Sequence, residues 1–68
     1  MVVRASAYVG AKVFSAIVQP DGRFNLFDGS QFVGTGEWDG DAIVDYSGKM
    51  ARNVEKAVVK AIARKERK

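Results

Sequence analysis

Apolar and polar positions change period once along the chain. From Lys12 to Tyr46, short runs rich in Val, Ile, Phe and Trp are separated by Asp21-Gly22, Asp28-Gly29 and Asp39-Gly40. Asp-Gly is hairpin chemistry, because tight turns need a positive φ that Gly and Asp tolerate and β-branched residues do not. Pro20 strengthens the first turn through its fixed φ. The pattern predicts strands over Lys12–Gln19, Arg23–Phe27, Ser30–Trp38 and Asp41–Tyr46, joined as an antiparallel meander. Val2–Val9 fits either a strand, by its Val content and Gly10, or a helix, through Ala5, Tyr8, Val9, Val13 and Ala16.

The period lengthens after Ser47-Gly48. Met50, Ala51, Val54, Ala57, Val58, Ala61 and Ile62 have the spacing of one helix face, in a stretch without Gly or Pro. Ser47 and Asp45 are the candidate caps. The expected class is therefore α+β: a small antiparallel β-meander of three to five strands, free to curl, with one C-terminal amphipathic α-helix. The expected organisation is a single domain over 1–68, sheet-forming over 2–46 and helical over 49–66.

Turn lengths set an expected register. A three-residue loop at Pro20–Gly22 pairs Val18 with Phe24 and Ala16 with Leu26, and a two-residue turn at Asp28-Gly29 pairs Phe27 with Ser30 and Phe24 with Val33. Paired residues share a face. Phe14, Ala16, Val18, Phe24, Leu26 and Val33 then line one side, and Val13, Ile17, Phe27, Phe32 and Trp38 the other. One helix cannot cover both, so a homo-oligomer is expected.

Composition narrows the chemistry. The 68 residues include no Cys and no His, which excludes disulfides, thiolate nucleophiles and the commonest general base and metal ligands. Asp21, Asp28 and Asp39 are explained by turns. Glu37, Asp39 and Asp41 lack the pattern of a calcium loop. Gly34-Thr35-Gly36 is no phosphate cradle. The expectation is no enzyme, no catalytic residue, no cofactor and no metal. No apolar run approaches the ~20 residues of a membrane span, and Lys12 and Gly10 interrupt the only stretch that faintly resembles a signal peptide. A cytoplasmic protein without a membrane partner is expected, and the size and composition also suit a phage or mobile-element product.

Charge supplies the first candidate surface. Residues 1–48 hold three basic and six acidic side chains, whereas residues 49–68 hold eight and two. On a helical wheel Lys49, Arg52, Lys56, Lys60, Arg64 and Arg67 form one stripe away from the apolar face, about 27 Å long if all helical. Such a stripe suits the phosphate backbone of DNA or RNA. Its plainer use is to solubilise an exposed helix. The second candidate is the aromatic side of the meander, Phe27, Phe32 and Trp38 beside the open backbone of Gly34 and Gly36, as a platform for stacking bases or the interface for a protein partner or second copy; its plainer use is core, the glycines then letting the sheet curl. Two functions follow: a non-enzymatic module binding nucleic acid electrostatically through the helix, or a protein-interaction module (small inhibitor, adaptor or self-assembling protein) using a sheet face or edge.

Overall fold

The computed structural model describes residues 2–67, without the Arg67 side chain. Five strands follow one another in a meander: β1 (Val3–Val9), β2 (Lys12–Val18), β3 (Arg23–Asp28), β4 (Gln31–Trp38) and β5 (Ile43–Gly48). Among the described residues a single helix, α1 (Arg52–Arg67), follows the last strand. The sheet order is β1-β2-β3-β4-β5, every pairing is antiparallel, and the sheet does not close. The α+β expectation holds. The ambiguous N-terminal stretch is a strand, turning at Gly10-Ala11 into β2.

Turn chemistry acts through side chains as well as glycines. Asp21 Oδ1 accepts the Arg23 N–H at 3.0 Å, and Asp39 Oδ1 accepts those of Asp41 and Ala42 at 2.8 Å each. Gly22 sits at φ 97°, where a side chain would be strained. The first turn sets the expected register, Val18 opposite Phe24 and Ala16 opposite Leu26.

The second hairpin departs from expectation, and the difference spreads. Asp28 pairs with Gln31 and Phe27 with Phe32, so the turn residues are Gly29-Ser30. Leu26 then pairs with Gly34, leaving Val33 as an extra residue on β4. A one-residue bulge reverses the side-chain alternation beyond it. Phe24 therefore faces Gly36 rather than Val33, and Trp38 turns to the face opposite Phe32. A second bulge leaves Val44 extra on β5.

The resulting inner face carries Ala5, Ala7, Phe14, Ala16, Val18, Phe24, Leu26 and Trp38, all buried with Val54, Val58 and Ile62 of α1 in one core. The helix lies chiefly over β1. There Ala5 and Ala7 present little bulk, so the backbone of α1 can come close while Val58 and Ile62 lose almost all exposure. Burial of those side chains is worth roughly 1.5–3 kcal/mol each. The helix begins at Arg52, not at residue 49, because β5 stays paired through Gly48 opposite Gly34. Lys49–Ala51 must then carry the chain from sheet to helix. Asp45 and Ser47 lie in β5 and cap nothing.

Strands β4 and β5 are closed by different means. Tyr46 lies across β4, its ring stacked on Phe24 at 6.2 Å, and its hydroxyl donates to the Lys49 carbonyl at 3.2 Å. A Cβ on Gly34 would collide with the Tyr46 Oη, and one on Gly36 would meet Phe24 Cζ at 2.9 Å. These glycines belong to the inner face, Gly34 making room for Tyr46 and Gly36 for Phe24. They do not open a platform beside the outer rings.

Candidate functional site

Arg52, Lys56, Lys60 and Arg64 stand at successive four-residue steps along α1, and all four are exposed. Twelve residues of helix place the first and last about 18 Å apart. Lys49, also exposed, precedes the helix instead of beginning it, which shortens the expected stripe. The Arg67 side chain lies outside the described residues. Like charges at four-residue spacing each destabilise a helix by roughly 0.2–0.5 kcal/mol. The ion pairs among the described residues, Lys12–Asp28 and Arg23–Asp21, both lie away from α1. Packing of the apolar face thus holds together a helix whose opposite side repels itself. Of the helix acids, Glu55 lies in the first turn, where a negative charge favours the dipole. Glu66 accepts the Trp38 indole N–H at 3.0 Å.

That hydrogen bond removes Trp38 from the expected aromatic interface. Its ring is 6% exposed, on the inner face with the helix. Phe27 and Phe32 remain together on the outer face, edge to face at 5.7 Å, with Phe32 55% exposed. Val13 and Ile17 lie half-buried on the same face.

The fold also recruits residues that periodicity alone did not single out. Strand β1 is a sheet edge, and α1 packs over it. Between them runs a groove of about 630 Å³ whose lining includes Arg4, Ser6 and Tyr8 from β1 and Lys60, Arg64 and Lys65 from α1. No acidic side chain lines it. Arg4 is 56 residues from Lys60 in sequence, so only the docking of helix on edge strand brings their elements together. The available signal was the basic charge of the N-terminal segment: Arg4 and Lys12 are the only charged residues before Asp21.

The acids collect on the other side of the sheet. Asp21, Asp28, Glu37, Asp39, Asp41 and Asp45 all belong to β3, β4, β5 and their turns. Glu37 faces Arg23 across one pairing and Asp45 across the other. Among the described residues no group of three or more acidic side chains is close enough to hold a metal ion. The Asp39 carboxyl is held below its ordinary value by the N–H groups of Asp41 and Ala42, as befits a turn clamp. Burial pushes the Tyr46 hydroxyl above its ordinary value, which keeps it a neutral donor. Among the described residues no helix is long and apolar enough to cross a membrane.

Comparison of the chain with protein-family models, curated proteins and solved structures found no match to any of them.

Proposed function

We propose that this protein is a small non-enzymatic binding module that engages the phosphate backbone of nucleic acid through α1. One observation carries the reading: Arg52, Lys56, Lys60 and Arg64 line one exposed side of the helix. Their mutual repulsion works against the helix they occupy, so they are poorly explained as helix stabilisers. Six of the eight acids lie in the far strands and their turns, which favours approach of a polyanion from the helix side.

A salt series tests the reading. Four neutralised phosphates give a slope of log K against log salt near −3.6 for duplex DNA. Lys56→Gln with Lys60→Gln should flatten it by roughly 1.8 without loss of fold. Undetectable binding to both DNA and RNA at ~50 mM salt returns the stripe to a solvated helix face.

A second reading, a protein-interaction module that takes a protein partner or a second copy, is favoured by the outer sheet face. Among the described residues no helix covers Phe27 and Phe32 there, and Phe32 is largely exposed. Its mark is sedimentation that depends on concentration in the micromolar range and reverts to monomer in Phe32→Asp.

A further inference from the structure

Resting on the second reading, that of a protein-interaction module, we infer that the outer sheet face is a symmetric interface with a second copy of this chain, its two-fold axis running along β3. Strand pairing lays the face out in rows. Arg4, Ile17, Asn25, Thr35 and Ser47 form one row from β1 to β5, and Ser6, Ser15, Phe27 and Phe32 form the next. Arg23, Glu37 and Asp45 make a third row on the other side of the first. Paired residues share a face, and Phe24 and Tyr46, stacked on the inner side, fix the alternation that turns these rows outward.

Charge selects both the partner and the axis. Arg4 and Arg23 balance Glu37 and Asp45, so the face is neutral and does not repel its own copy. The charges are also segregated, with Arg4 on the edge strand β1 and Asp45 on the opposite edge strand β5. Two sheets packed face to face lie about 10 Å apart with their strands nearly aligned. Rotation about an axis along β3 lays β1 on β5 of the other copy, and β2 on its β4. Each Arg4 then stands one row from Asp45 of the other copy, a step of about 7 Å along the strand. An axis across the strands would instead lay β1 on β1 and β5 on β5, with like charges on the same side of the interface.

Shape agrees with charge. Phe32, 55% exposed, comes to lie over Ser15 of the other copy, a small residue flanked on the same face by Val13 and Ile17. Its ring fills the gap between those two half-buried side chains. Phe27, on the axis strand, meets its own counterpart. Aromatic rings then occupy the centre and ion pairs the rim, where each contributes most to an interface. The two α1 helices lie on opposite outer sides of the dimer, which leaves their basic surfaces free.

Sedimentation at low salt, where exposed ion pairs are least screened, tests the interface. The wild type should pass from 7.4 kDa to twice that mass in the micromolar range. Arg4→Glu and Asp45→Arg should each raise the dimer dissociation constant about ten-fold, since each sets like charges together at both ends of the dimer. An equimolar mixture of the two variants should recover the wild-type constant, because every such contact again joins opposite charges. Both positions are exposed, so the variants keep the fold, which circular dichroism checks. Single variants that associate like wild type, or a mixture no better than either alone, overturn the axis along β3; the outer face then stands as an interface only if Phe32→Asp still abolishes association. A wild type that stays monomeric overturns the second copy and leaves the face to a different protein. A dimer that persists in Phe32→Asp overturns the second reading itself.

Discussion

The sheet has two halves that solve the same packing problem differently. In β1 and β2, two chain-adjacent strands bear small inner residues, Ala5, Ala7 and Ala16, and a helix from the far end of the sequence lies over them. In β4 and β5 the cover is local: Tyr46 folds onto Phe24 over two glycines, and the chain leaving β5 accepts its hydroxyl. The halves differ in charge as well. Every acid of the sheet lies from Asp21 onward, while β1, β2 and α1 gather all the basic residues except Arg23 and Lys49 and the terminal Lys68. The comparison teaches that one helix can cover one half and also create a surface there, whereas the self-covered half stays acidic and structurally closed.

The sharpest way to break the comparison is to remove the shared core of the first half. Val58 is 1% exposed, and Val58→Asp would bury a carboxylate without a partner. A loss of about 3 kcal/mol or more is expected, enough to unfold a domain this small. Circular dichroism and urea unfolding would read it, and a variant that melts like wild type would show that α1 is not docked as described.

An intermediate effect is expected in the other half. Gly34→Ala forces a methyl group against the Tyr46 hydroxyl and should cost roughly 1–3 kcal/mol. Combined with Tyr46→Ala, the loss should be smaller than the sum of the single changes, because the contact with the ring disappears and only the one with the Ser47 carbonyl, at 2.8 Å, remains. The affinity of the folded protein for nucleic acid should not change, since neither residue approaches the basic groove.

The smallest effect concerns acid. Hydrogen bonds from Asp41 and Ala42 depress the Asp39 pKa in the folded state below the ordinary 3.8. The unfolded chain therefore binds more protons in that window, and the contribution is present above pH 3.8 and lost as pH falls through the lower folded value. Asp39→Asn keeps an acceptor for the turn but cannot titrate. Its urea midpoint should fall less between neutral pH and pH ~3 than that of wild type.

Much of this architecture was legible in local sequence, with informative exceptions. The first Asp-Gly turn set the β2–β3 register, and the helix face was readable from Val54, Val58 and Ile62. Trp38 was misplaced because strict alternation was carried from Phe32 through six residues, across a bulge that nothing in the local pattern marked. Gly34 and Gly36 carried a signal open to two readings, open backbone beside the outer rings or freedom for the sheet to curl, and neither named the inner rings they make room for. Of the groove residues, Lys60 and Arg64 were readable as a helical stripe, but Arg4 and Tyr8 were not, since their strand is brought to the helix by packing alone.

By itself the sequence determined four of the strands and the presence of the helix, the antiparallel order of their hairpins, the class of fold and the uneven distribution of charge; it left Val2–Val9 open between strand and helix. Those properties rest on turn chemistry, hydrophobic period and composition, which act over a few residues or need no structure at all. Only the tertiary structure decided which way the second half of β4 faces, where Tyr46 lies, and which strand α1 covers. A bulge is stabilised by the packing on either side of it, and a helix docks where the sheet offers the closest approach. Both are choices among non-local contacts. The groove between β1 and α1 exists because the last element of the chain came to rest on the first.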